Sequence, residues 1–222
     1  MQVSFAIHGS TGELYGDGAA IWYVQDRAQP GPVFGSRDYF RGLGIFLDTY
    51  SNHNGPHAPV LARDWELQVS FAIHGSTGEL YGDGAAIWYV QDRAQPGPVF
   101  GSRDYFRGLG IFLDTYSNHN GPHAHGHPYI SAMVNNGSLH YDHDMDGTHT
   151  QLGGEHTGCE VRFRNKQHET QLLVRYVSDV LSIYTDILGA GKWQECMSVA
   201  GVRLPTGYYF GFTAATGDLS GK

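Results

Sequence analysis

Three oxygen-bearing residues close an apolar run: Asp114, Tyr116 and Asn118 follow Ile111-Phe112-Leu113. A carboxylate and an amide four residues apart, with the Tyr116 main-chain carbonyl between them, form a set of hard oxygen donors. Such a set suits calcium far better than zinc. The competing reading is an ordinary strand end, where Asp and Asn favour a turn. A second acidic stretch, Asp142-His143-Asp144-Met145-Asp146-Gly147, reads either as a solvated loop or as further cation ligands. A third candidate is His123-Ala124-His125-Gly126-His127-Pro128. Alternating imidazoles suit a transition metal, but no fourth ligand is evident and Gly126 and Pro128 mark a connector, so we read this stretch as connector.

These residues need strands to hold them. Leu67 to His74 alternates apolar and polar residues with period two, the pattern of a half-buried strand. Ala85 to Val90 and Ile111 to Leu113 are apolar throughout and read as strands buried on both faces. Tyr129 to Val134 is a further strand. Asn135-Asn136-Gly137-Ser138 predicts a tight hairpin, with Leu139-His140-Tyr141 as its return strand. Cys159 to Arg164, Gln171 to Val177, Val180 to Ile187 and Tyr208 to Phe212 complete the antiparallel series. About ten short strands, turns rich in glycine and no long helical period predict an all-β sandwich.

Residues 2–58 recur without a change as residues 68–124, at an offset of 66. Two copies at this period do not make a solenoid. Only the second copy continues without interruption into the rest of the strand series. We therefore expect residues 1–63 to be a duplicated partial segment, poorly packed, and residues 64–222 to be the working domain. Met1 runs directly into a strand pattern, without the charged-then-apolar sequence of a signal peptide, so the chain reads as truncated.

Net charge is −8, which argues against nucleic acid or an anionic membrane surface as partner and accords with cation binding. No window approaches 18 apolar residues, so no transmembrane segment is expected. Cys159 and Cys196 are either two buried thiols or one disulfide closing a 37-residue loop; their number alone does not decide. Asn136-Gly137-Ser138 is a glycosylation sequon.

Taken together, the motifs carry a resemblance. Asp64-Trp65-Glu66-Leu67, Gly82-Asp83-Gly84, Pro96-Gly97-Pro98-Val99-Phe100-Gly101 and Phe112-Leu113-Asp114-Thr115-Tyr116 stand in order. They are followed by Pro128-Tyr129-Ile130-Ser131, Asn135-Asn136-Gly137-Ser138, the run Gly201 to Gly211 (GVRLPTGYYFG) and Gly217-Asp218-Leu219. This series resembles the luminal domain of the animal leguminous-type (L-type) lectins, in particular the vesicular integral-membrane branch of mannose-binding cargo receptors.

The resemblance implies a concanavalin-like antiparallel β-sandwich, a jelly roll. It also implies calcium-dependent binding of high-mannose N-glycans on cargo glycoproteins in the lumen of the endoplasmic reticulum, the intermediate compartment and the Golgi. It implies no enzymatic activity. Asp114, the Tyr116 carbonyl, Asn118 and Asp146 match the calcium ligands. Asp83, Asn118, His143, Gly217, Asp218 and Leu219 match the sugar site. Cys159 and Cys196 match the family disulfide, and an oxidising lumen with it.

Sugar chemistry accords with this set. Asp83 can accept from two hydroxyls, and a charged acceptor makes the stronger bond. Asn118 can donate to sugar while its oxygen binds calcium, so the metal orders it in advance. His143, once protonated in a more acidic compartment, would stop accepting from the sugar. Two other classes compete. A glycoside hydrolase on the same sandwich needs a pair of carboxylates flanking a cleft, and no strand carries acids alternating on one face. A non-functional duplicated fragment is the remaining alternative.

Overall fold

The computed structural model describes residues 59–74, 82–92, 95–118 and 124–216, together with the backbone of 18–24 and 42–48. The chain divides into two compact units, Met1–Pro56 and His57–Lys222. In the first, β1 (Gly18–Val24) and β2 (Gly42–Asp48) form an antiparallel hairpin.

The second unit contains β3 (Trp65–Phe71), β4 (Asp83–Val90), β5 (Pro96–Gly97), β6 (Gly101–Ser102), β7 (Arg107–Asp114) and β8 (Tyr129–Asn136). It continues with β9 (Cys159–Glu160), β10 (Thr170–Val177), β11 (Val180–Asp186), β12 (Gln194–Ala200) and β13 (Tyr209–Thr216). The described helices are two single turns, His143–Met145 and Thr148–Thr150, so the all-β expectation holds. One sheet runs β12-β11-β10-β3 and the other β13-β4-β7-β8-β9, with antiparallel pairing throughout both.

The duplicated sequence folds the same way twice. β1 pairs with β2 as Gly18↔Asp48 to Val24↔Gly42, and β4 pairs with β7 as Gly84↔Asp114 to Val90↔Gly108. Shifted by 66, these registers are identical. The register is therefore fixed by the local sequence.

Alternation sorts the side chains of β4 and β7 into two cores. Ile87, Tyr89, Leu109, Ile111 and Leu113 face the four-stranded sheet, where Leu172, Val174, Leu181 and Ile183 meet them. Ala86, Trp88, Val90 and Phe112 point to the other face. That face is covered by loops supplying Val99, Phe100, Phe106 and Tyr141. Phe112 lies 4.6 Å from Tyr141 and 5.3 Å from Phe100, ring centre to ring centre, and Trp88 lies 5.0 Å from Phe106. This second core explains why the strands are apolar throughout. It also seats the loop that carries His143 and Asp146. Gly110 sits where a Cβ would fall 2.8 Å from the Phe112 ring and 3.0 Å from Trp88, so a side chain there would displace these buried rings.

Cys159 on β9 and Cys196 on β12 form a disulfide, which ties the two sheets together. The expected hairpin after β8 does not form, for β8 pairs with β7 and β9 and residues 138–142 are not a strand. Instead the buried Asn135 closes the loop: its Nδ2 donates to Leu139 O at 2.8 Å, and its Oδ1 accepts from Gly137 N at 2.9 Å and Leu139 N at 3.2 Å. The chain then crosses the outer face to bury Tyr141. The expected strand from Cys159 to Arg164 shrinks to Cys159–Glu160.

Candidate functional site

Four neighbouring strands, β13, β4, β7 and β8, bring the candidate residues to one end of the five-stranded sheet. In the registers, Thr216 pairs with Asp83, Gly84 with Asp114, and Asp114 with Tyr129. Asp83 opens β4, and its carbonyl accepts from both the N–H (2.9 Å) and the hydroxyl (2.8 Å) of Thr115. Asp83 is thereby locked beside the stretch that begins at Asp114.

Asp114 and Asp146 come together although 32 residues separate them. Both are buried, with 7% and 6% of their surface exposed. Asp114 Oδ1 accepts from Tyr116 N at 3.0 Å. Asp146 accepts from the Ser117 hydroxyl at 3.0 Å and from Asn118 N at 2.8 Å. Loop 115–118 therefore curls around Asp146. Asp146 itself holds a left-handed backbone, φ 49°, that caps the turn His143–Met145. Two buried carboxylates demand positive charge, because charge removed from water is costly unless paired.

The described residue that answers this demand is His127. Its Nε2 lies 3.7 Å from Asp114 Oδ2 and 3.7 Å from Asp146 Oδ2, too far for a hydrogen bond. The three form a cluster whose potential ligand atoms lie within 4.8 Å of one another. Burial pushes the Asp114 carboxyl up, with His127 opposing. Burial alone would lower the His127 imidazolium, but the Asp114 and Asp146 charges outweigh it and hold it above its ordinary value. His125 and His127 do more than connect: His127 is packed against the acids and His125 stacks on Tyr129 at 4.4 Å, while His123 lies outside the described residues.

His143 lies on the adjoining turn. Its ring packs 5.3 Å from Phe100 and 4.8 Å from Tyr141, and its Nε2–H donates to Pro98 O at 2.7 Å. The lone pair of the neutral ring is therefore on Nδ1. Tyr141 packs against His143. Its buried hydroxyl has no hydrogen-bond partner, and burial together with Asp114, Asp146, Asp83 and Asp142 pushes it well above the ordinary tyrosine range.

The arrangement thus assembles Asp83, Asp114, Tyr116, Asn118, His143 and Asp146 at one end of the sheet. Gly217, Asp218 and Leu219 lie outside the described residues, but Thr216 beside Asp83 is the last described residue before them. Asn136 is exposed at the opposite end of β8 from Tyr129. Sequence reasoning named His127 within a candidate metal stretch but set it aside as connector. The signal available was its place two residues before a strand, but its neighbour in space is set by the β7–β8 register.

The cluster fits a divalent cation. Two buried carboxylates and an imidazole nitrogen without a hydrogen-bond partner converge on one point, and the curled loop adds oxygen-bearing residues at 116 and 118.

The model of the legume-like lectin family matches residues 1–63 and 56–222. The VIP36-like protein of Homo sapiens is 56% identical over 163 residues, covering 73% of this chain and 46% of that protein. The vesicular integral-membrane protein VIP36 of Canis lupus familiaris is 54% identical over 166 residues, 74% of this chain and 45% of that protein. The chain thus spans about half the length of these curated relatives. The crystal structure of the VIP36 exoplasmic/lumenal domain in its Ca2+/Man2-bound form superposes with a TM-score of 0.70. It is 53% identical, over 74% of this chain and 64% of that one. The chain belongs to the legume-like lectin family.

Proposed function

We propose that this chain binds the mannose-rich arms of N-glycans in a calcium-dependent way, as a luminal cargo-receptor domain of the early secretory pathway. The observation that carries this is the convergence of buried Asp114 and Asp146 beside Asp83. In this reading Asp114, the Tyr116 carbonyl, Asn118 and Asp146 hold calcium. Asp83, Asn118, His143 and the segment Gly217, Asp218 and Leu219 hold the sugar. Calcium supplies the charge that orders the Asn118 loop before sugar arrives. No bond is made or broken. The buried carboxylates are engaged by Tyr116 N, Ser117 Oγ and Asn118 N rather than flanking a cleft as a hydrolase requires. The disulfide between the sheets accords with an oxidising lumen. Asn136, exposed in its sequon, is the proposed N-glycosylation site.

The identity of related solved structures supports the reading: VIP36 domains are known in Ca2+/Man-bound and Ca2+/Man3GlcNAc-bound forms. A glycan array in calcium tests it. The wild-type chain is expected to select mannose-terminated glycans, and Asp83→Asn to weaken them by about ten- to a hundredfold, the worth of a hydrogen bond to a charged group. Unchanged binding by Asp83→Asn would contradict the assigned sugar site.

A further inference from the structure

We infer that His127 is itself a metal ligand, so that the cation site is a mixed nitrogen and oxygen site open to borderline divalent ions such as Co2+ and Zn2+ as well as Ca2+. The inference rests on the reading that Asp114 and Asp146 hold a cation.

The first support is position. The His127 side chain is 7% exposed, and its Nε2 stands equidistant, at 3.7 Å, from Asp114 Oδ2 and Asp146 Oδ2. Donors bound to one ion at about 2.1 Å lie no more than about 4.2 Å apart, so a single ion can reach Nε2 together with either carboxylate. The second is an unmet bond. Nε2 is buried and has no hydrogen-bond partner, while the carboxylates on either side are bonded to loop 115–118. The third is the outer contact. Nδ1–H of His127 donates to His125 O at 3.0 Å, which fixes the ring and leaves Nε2 turned to the acids. Metal-ligating histidines regularly carry such a contact to a carbonyl. His125 is in turn held by stacking on Tyr129, whose strand pairs with Asp114, so the ring support and the carboxylate belong to one ladder.

The donor chemistry then sets the selectivity. Oxygen donors alone favour calcium, whereas an imidazole raises affinity for late first-row ions. His127 should therefore contribute little to Ca2+ and much to Co2+ or Zn2+.

The test uses the full chain with Co2+ as probe and Ca2+ as competitor. Visible absorption is expected to show one Co2+ that Ca2+ displaces. His127→Gln is expected to weaken Co2+ at least about tenfold more than it weakens Ca2+, both read by calorimetry. Proton NMR of the wild-type Co2+ form, which needs no variant, should show one hyperfine-shifted, exchangeable ring N–H from Nδ1. Co2+ binding without that resonance, or undiminished in His127→Gln, overturns the inference and leaves the calcium reading intact. Co2+ binding through His127 with no Ca2+ binding upholds the inference and removes the calcium reading. A wild-type chain that binds neither ion overturns both.

Discussion

The backbone N–H of Asn118 donates to Asp146 Oδ1 at 2.8 Å, across 28 residues of sequence. This bond joins the end of β7 to the turn that carries His143, so the proposed metal and sugar residues are one cooperative piece. Asp146→Asn removes the charge that holds the loop and that the proposed cation would need. The wild-type chain should gain about 2.7 kcal/mol from calcium at a hundred times its Kd. Asp146→Asn should lose that gain, read as the calcium-induced rise in Tm. An equal rise in the variant would show that calcium binds elsewhere.

The disulfide Cys159–Cys196 closes a 37-residue loop and bridges the sheets. Replacing both cysteines by alanine should cost about 3–4 kcal/mol, measured by urea unfolding. A loss below about 1 kcal/mol would mean the sheets are held as well without it.

Asp186 is 2% exposed and accepts from Leu188 N, Ala190 N and Gly191 N at 3.2, 3.2 and 2.6 Å. Burial works against its charge, but the N–H groups of Ala190, Gly191, Leu188 and Lys192 outweigh it and hold the carboxyl below its ordinary 3.8. A depressed folded value means the contribution is present above pH 3.8 and fades as pH falls through the lower folded value. Asp186→Asn should therefore lower Tm at pH 7, and the gap from wild type should close in strong acid. A gap independent of pH would contradict this.

Tyr141 buries a hydroxyl that has no hydrogen-bond partner and that the charges of Asp114, Asp146, Asp83 and Asp142 disfavour ionising. An unsatisfied buried group costs about 1–3 kcal/mol, so Tyr141→Phe should leave the metal-free chain as stable or stabilise it by about 1 kcal/mol. A loss above about 1 kcal/mol would reveal a partner for the hydroxyl.

Much of this was legible in sequence for physical reasons. The continuous apolar run at Ala85 to Val90 announces a strand buried on both faces, and Trp88 and Tyr89 indeed serve opposite cores. The ligand-like spacing of Asp114, Tyr116 and Asn118 was visible because it is local. What failed was non-local. Asn136-Gly137 announces a turn but not its sequel, and the buried Asn135 amide replaced the ladder that Leu139 to Tyr141 would have made. His127 was read as connector because its partners, Asp114 and Asp146, are supplied by the sheet and by a loop crossing its outer face. Asp146 could be seen as acidic, but not as the residue around which Ser117 and Asn118 close.

The duplicated hairpin gives a further prediction. Among the described elements β1 pairs only with β2, whereas β4 and β7 have β13 and β8 on their flanks. A two-stranded hairpin by itself is marginal in water. We propose that limited proteolysis cuts residues 1–63 well before residues 64–222. Equal resistance of the two identical copies would contradict that division.

The most direct test is binding of the whole chain to an immobilised high-mannose glycan, in calcium and again after addition of a chelator. Retention in calcium and release by the chelator is the predicted result. Retention that survives the chelator, or no retention by a folded, calcium-loaded chain, would contradict the account.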